Sequence, residues 1–153
     1  MNFQYNDGGR ATAGFKGSSN DCVVRAIAIA AELSYAQVYS DLGIIAKNTR
    51  RRNRKGIKGR NKQFTPAQGL DKRVYEPYLF ELGWCWEPCM QIGSGCKVHL
   101  REGELPGGRI IARVTGHLVA VVNGVIHDTY DCSRSGTRCV YGYYFKSEGV
   151  KSL

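Results

Sequence analysis

The chain lacks any long hydrophobic run. Its most apolar stretch, Ala26 to Ala31, falls far short of the roughly 20 residues that a membrane-spanning helix needs. The opening residues, Met1 to Gly14, are polar and contain no apolar segment of the secretory type. These two absences predict a cytoplasmic protein with no membrane partner, whose cysteines stay reduced. Internal repeats are also missing. Acidic residues are absent from one segment, 47–62, which holds nine basic side chains: Lys47, Arg50, Arg51, Arg52, Arg54, Lys55, Lys58, Arg60 and Lys62. With nine of its 22 basic residues there, the remainder carries 13 against 13 acidic ones, so the net charge of +9 sits in that segment alone.

What is present is enough for a core. The 153 residues suit one domain over 1–153, and a hydrophobic content of 42% with 10% aromatics excludes disorder of the whole chain. Helical patterns come first. Ser18-Ser19-Asn20-Asp21 supplies preferred helix caps before Cys22, and Val23 to Leu33 is almost wholly apolar, with Arg25 its one charge before Glu32, as in a buried helix. Ser34 with Gln37 fits a capping box, followed by Tyr35, Val38, Leu42 and Ile45 at helical spacing, with Gly43 weakening the end. The basic segment 47–62 has no face to bury and reads as a mobile loop. Thr65-Pro66 resembles a helix start. Tyr75, Tyr78, Leu79 and Leu82 share one face of a helix over about 71–82, whose ordered part Pro77 would delay.

After Gly83 the period changes. Trp84 to Trp86, Lys97 to Leu100, Arg109 to Val114 and Arg138 to Phe145 read as strands. His117 to Val122 and Val125 to Tyr130 flank Asn123-Gly124, the preferred pair for a two-residue type I′ hairpin turn. Helices followed by an antiparallel sheet make an α+β fold.

Cys22 stands in the first turn of the buried helix, where the positive end of the helix dipole favours a thiolate. Arg25, one turn on, adds positive charge; the position would equally suit a small buried side chain. On the hairpin, a turn at Asn123-Gly124 pairs residues whose numbers sum to 247. Side chains alternate along a strand, so His117 shares a face with Asp128 as its diagonal neighbour, while His127 points to the other face. A thiol, a histidine base and a carboxylate that orients it are the parts of nucleophilic acyl transfer.

Three segments carry a resemblance: Asn20-Asp21-Cys22-Val23-Val24-Arg25-Ala26, Gly116 to Thr129, and Arg138-Cys139-Val140-Tyr141-Gly142-Tyr143. In the order of Cys, His and Asp, the chain resembles the papain-like cysteine peptidase superfamily, in particular its compact bacteriocin-leader-processing type. It is also similar to small phage- and plasmid-encoded proteins of unassigned activity. The resemblance implies a helix bearing the nucleophile at its start, packed on the sheet. It implies a cysteine hydrolase acting on peptide or isopeptide bonds, with a peptide or protein substrate and no cofactor. Cys22 would be the nucleophile, His117 the base and Asp128 its orienting group, in a host cytoplasm if the chain is phage-encoded. Papain-like enzymes place a glutamine several residues before the nucleophile. Here Lys16 stands six residues before Cys22 and Gln4 is the sole upstream glutamine. Asn20 is then the candidate oxyanion donor beside the Cys22 backbone N–H, or else the helix cap.

Other groupings were weighed on the same terms. Cys85, Cys89, Cys96 and His99 have spacings near those of a zinc site, but lie in or beside strand-like sequence and read as ordinary thiols; no metal site is assigned. Cys132 and Cys139 could meet across the turn between them if oxidised. The competing function is a non-enzymatic binding protein of phage type. It would engage nucleic acid or an acidic protein through Arg50, Arg51, Arg52, Arg54, Lys55, Lys58 and Arg60. That segment has no interleaved aromatics for base stacking.

Overall fold

The computed structural model describes residues 1–17, 19–49 and 65–147. Its elements run β1 (Asn2–Tyr5), α1 (Cys22–Ala31), α2 (Tyr35–Asn48), α3 (Lys72–Glu81), β2 (Trp84–Pro88), β3 (Arg109–Val114), β4 (His117–Val122), β5 (Val125–Asp128) and β6 (Gly142–Lys146). The six strands form one sheet in the order β1-β5-β4-β3-β6-β2. The α+β class stands, with one correction. The sheet is mixed, because β1 pairs in parallel with β5 while the other neighbours are antiparallel. All four residues of β1 are exposed, so the alternation of Asn2 and Gln4 with Phe3 and Tyr5 buries neither face, and the strand is held by its backbone ladder on the edge of β5.

Helix α1 explains its own composition. Val23 to Ala30 are all buried, because the helix lies on β4 and against α2. Its N-cap is Asp21, not Asn20, and the Asp21 side chain makes no capping bond, being taken up by other partners described below. Ser18 lies outside the described residues. At the other end, Arg109 of β3 donates from Nε to the Ala30 carbonyl (3.0 Å) and from Nη2 to the Ile29 carbonyl (2.8 Å). These bonds engage carbonyls of the last helical turn, the Ile29 one alongside the Glu32 N–H, and pin α1 to the sheet.

Ser34 caps α2 as expected, accepting from the Gln37 N–H at 3.1 Å, but the Gln37 side chain turns to Asp41 (2.7 Å) instead of completing a capping box. Gly43 does not end α2, which runs on through Lys47 to Asn48; the rest of the expected basic loop, 50–62, lies outside the described residues. Thr65-Pro66 is not a helix start. Thr65 bridges Gly69 across a tight turn, and α3 begins after Asp71, whose carboxylate accepts the Arg73 N–H at 2.8 Å. Pro77 sits inside α3 and does not delay it. Burial of Val74, Tyr75, Tyr78 and Leu79 outweighs the lost backbone bond, and two phenols anchor the helix: Tyr78 to Asp41 (2.8 Å) and Tyr144 to Glu76 (2.6 Å).

The sheet has a core on each face. Ile111, Leu118, Ala120 and Tyr144 pack against the helices. Ile110, Ala112, Val114, Val119, Val121 and Ile126 pack against Leu100, Cys132 and Val140 from the connecting segments. Those segments differ from the sequence reading. Lys97 to Leu100 is not a strand, and the last strand begins at Gly142 instead of Arg138. Between them stands a short ladder: the Val140 N–H donates to Val98 and the Leu100 N–H to Arg138, with His99 opposite Cys139. The expectation of thiols is corrected, and so is the partner that Cys139 would take if oxidised. A disulfide joins Cys96 to Cys139, whereas Cys132 is a free, buried thiol.

Gly142 opens β6 under the Trp86 ring. A Cβ there would stand 2.4 Å from two Trp86 ring carbons and 2.6 Å from the Glu87 carbonyl oxygen. Gly142→Ala is expected to cost about 1–3 kcal/mol through forced displacement of β2, read as a lower midpoint in urea unfolding.

Candidate active site

The hairpin that carries two of the candidate residues forms as its turn sequence requires. Asn123 (φ 49°) and Gly124 (φ 77°) both adopt positive φ, and the ladder pairs Val122 with Val125, Val121 with Ile126 and Ala120 with His127. Beyond that pair the ladder stops, and β5 ends at Asp128. His117 opens β4 directly after the Thr115-Gly116 turn from β3. Its Nε2 lies 2.6 Å from Asp128 Oδ2, so the diagonal pair meets. His127 points elsewhere, its Nδ1 lying 3.2 Å from the Asn6 amide.

Cys22, first residue of α1, lines the same cleft as this imidazole. Asp128 holds Nε2, which leaves Nδ1 as the ring nitrogen without that partner. Burial alone would push the Cys22 thiol up. The hydrogen bond and charge of His117, the Leu118 backbone N–H and the Arg25 charge pull it below its ordinary value. Burial likewise disfavours the imidazolium, but Asp128, Cys132 and Cys22 outweigh it and push His117 up to about 12. Asp128, raised by burial, is held below the usual carboxylate range by His117, the Thr129 N–H and Arg25. All three shifts favour one state, a thiolate–imidazolium pair backed by a carboxylate.

A buried ionic network supports this trio. Arg25, 7% exposed, bridges Asp21 through Nη1 and Asp128 Oδ1 through Nη2 at 3.2 Å. Asp21 also accepts from the Tyr35 hydroxyl (2.5 Å) and forms an ion pair with Arg10, whose Nε stands 3.4 Å away. Asp128 Oδ1 accepts the Thr129 N–H at 2.7 Å, which fixes the carboxylate plane and leaves Oδ2 for His117. Arg25 was legible as a nearby charge, but its structural role was missed. The signal was there: Asp21 and Arg25 are an i,i+4 pair at the start of an apolar helix, and a charge so placed has to be paired.

Cys22 and His117 lie where two depressions of about 370 and 430 Å³ meet. One is lined by Leu70, Asp71, Lys72, Tyr75 and Arg113; the other by Ser19, Asn20, Gln68, Thr129 and Tyr130. Asn20, released from capping, therefore faces the cleft. Gln68, which the sequence did not single out, lines it too, brought there because the Ala67 carbonyl accepts the Asn20 N–H (2.9 Å) and the Ser19 hydroxyl (3.1 Å). Cys132 was also passed over for this site. The donor atoms of His117, Asp128 and Cys132 all lie within 4.8 Å of one another. That donor set could hold a divalent ion, although the Arg25 guanidinium on the same carboxylate opposes one. Arg50, Arg51, Arg52, Arg54, Lys55, Lys58 and Arg60 lie outside the described residues. No helix among the described residues is long and apolar enough to cross a membrane.

No family model matches the chain, and neither a curated protein nor a solved structure matches it.

Proposed function

We propose that the protein is a cysteine hydrolase of papain-like arrangement that cleaves peptide or isopeptide bonds in the cytoplasm. One observation supports the reading: a thiol at a helix start lines the same cleft as an imidazole paired with a buried carboxylate. The Cys22 thiolate attacks the substrate carbonyl carbon. The Cys22 backbone N–H, at the open end of α1, and the Asn20 amide receive the developing oxyanion. The His117 imidazolium gives its proton to the leaving amine, which leaves a thioester on Cys22. His117, now neutral, takes a proton from water as it attacks the thioester, and thiol and carboxylate product separate. Asp128 holds the imidazole in orientation and stabilises its charge without making or breaking a bond. Acyl transfer through a thioester needs no cofactor.

The test uses the whole chain and a complex peptide mixture, with new amino termini identified by mass spectrometry. The wild type is expected to generate them. Cys22→Ala is expected to generate none, with its unfolding midpoint little changed. New termini in equal number from Cys22→Ala, or none from either protein, would overturn the reading.

The charge concentrated in 47–62 supports a second reading, a binding protein for nucleic acid or an acidic partner. In that case a polyanion binds with an affinity that falls steeply with salt, and the peptide mixture stays intact.

A further inference from the structure

We propose that Cys96, His99 and Cys139 form a redox-gated zinc site, created when the Cys96–Cys139 disulfide opens. Cys96 and His99 have the close spacing of a metal-binding pair, and the fold supplies Cys139 as third donor. The candidates that the sequence grouped with them, Cys85 and Cys89, sit on and beside β2 instead, with Cys85 facing Ser147.

The geometry is near that of a zinc site. Cys96 Sγ lies 3.5 Å from His99 Nε2. With Zn–S of about 2.3 Å and Zn–N of about 2.0–2.1 Å, the edge of a zinc tetrahedron between S and N is about 3.5 Å. The Cα atoms of Cys96 and Cys139 are 5.9 Å apart, so side-chain rotation alone can bring the second thiolate onto the same ion. The other imidazole nitrogen is already held. His99 Nδ1 lies 3.4 Å from Glu104 Oε1, and Glu104 Oε2 accepts the His99 backbone N–H at 3.1 Å. Arg101 in turn donates to Glu104 at 2.6 Å and stands 3.2 Å from Nδ1. The Glu104 carboxylate favours the proton on Nδ1 that leaves the Nε2 lone pair for a metal, the usual outer-shell arrangement of zinc-bound histidine, while the Arg101 guanidinium, which only donates, competes for the same nitrogen.

The site is built to outlast the disulfide. His99 pairs with Cys139 through the backbone, and the Leu100 N–H donates to Arg138 at 2.8 Å. These contacts keep the two segments in place once the covalent bond is gone. Cys96 is exposed and the His99 side chain is 25% exposed, so reductant, metal and a water in the fourth position can reach them.

The chemistry balances. A dithiol reductant passes two electrons and two protons to the disulfide and becomes a disulfide itself. Zn²⁺ then displaces the two protons from Cys96 and Cys139. Reoxidation by a disulfide reverses the electron flow and expels the ion. In a reducing compartment the same residues thus exchange a covalent clasp for a metal one.

Cobalt(II) serves as the probe on the full chain, reduced with a phosphine. The reduced protein is expected to bind one Co²⁺ with a thiolate-to-cobalt charge-transfer band, which Zn²⁺ displaces; the oxidised protein is expected to show no such band. Cys139→Ser and His99→Gln should each weaken binding by more than about 100-fold, and Glu104→Gln by about 10-fold. Cys132→Ser should leave it unchanged. His99 is partly exposed, so His99→Gln remains informative should Cys139→Ser fail to fold. Absence of the band in reduced protein overturns the proposal, as does its survival in His99→Gln. Loss in Cys132→Ser alone also overturns it, and places the metal at His117 and Asp128. Each outcome is independent of whether Cys22 is a nucleophile.

Discussion

Replacing Arg25 with methionine should destabilise the protein by about 3–5 kcal/mol at neutral pH. Methionine keeps the stem and removes the guanidinium that joins Asp21, 1% exposed, to Asp128, 3% exposed. Two carboxylates would then stay buried without their shared counter-charge, which costs more than the net worth of the original pairs. The loss should depend on pH. Asp128 in the folded protein ionises below the usual carboxylate range, so it contributes stability that is complete above the unfolded value of about 3.9 and is lost as pH falls through the folded one. Without Arg25 that contribution shrinks. The gap between wild type and variant should therefore be widest near neutrality and narrow below about pH 4, where protonation removes the uncompensated charge. Urea unfolding from neutral to acid pH measures this. A loss under about 1 kcal/mol, or a gap that widens in acid, would contradict the role given to Arg25.

His117→Ala carries the largest expected effect on chemistry, a fall in hydrolysis of at least about 10³-fold. The imidazole both lowers the Cys22 thiol and supplies the leaving-group proton, so the variant loses the nucleophile and the acid together. Because His117 is pushed up to about 12, it is protonated throughout the neutral range and keeps the neighbouring thiolate neutralised. Asp128→Asn should be milder, since an amide oxygen can still accept from Nε2 and bond making does not involve Asp128. A His117→Ala variant that hydrolyses peptides as fast as the wild type would show that the base lies elsewhere.

The legible part of the fold was the part set by local chemistry. The Asn123-Gly124 turn requires positive φ twice, and that fixed the hairpin register and with it the choice of His117 and Asp128 over His127. Ser34 as a cap and the all-apolar face of α1 were readable for the same reason. The failures lie where partners come from distant sequence. Strand β1 is exposed on both faces, and exists because β5 offers a free edge. Pro77 was read as delaying α3, whereas Tyr78 and Tyr144 hold the helix through Asp41 and Glu76. The cysteines were read as thiols, with Cys132 as the partner open to Cys139 on oxidation, whereas the bridge between His99 and Cys139 brings Cys96 into reach. The candidate trio was readable as residues. The Asp21–Arg25 half of the network that holds it had a local signal, the i,i+4 spacing, but the link from Arg25 to Asp128 and the approach of Gln68 and Cys132 depend on contacts that no local pattern encodes.

The central claim, that His117 makes Cys22 an activated thiolate, is tested most directly by residue-resolved alkylation with iodoacetamide. Rates at each cysteine are followed by mass spectrometry from about pH 5 to about pH 9, in the wild type and in His117→Ala. In the wild type, Cys22 should react at least about 100-fold faster than Cys85 or Cys89 near pH 6, with a rate that changes little on going to pH 8. In His117→Ala that advantage should vanish, and the rate should climb only toward the ordinary thiol range, about 8.5 or above. A Cys22 that titrates in the ordinary range in the wild type, with a profile indifferent to His117→Ala, would contradict the account.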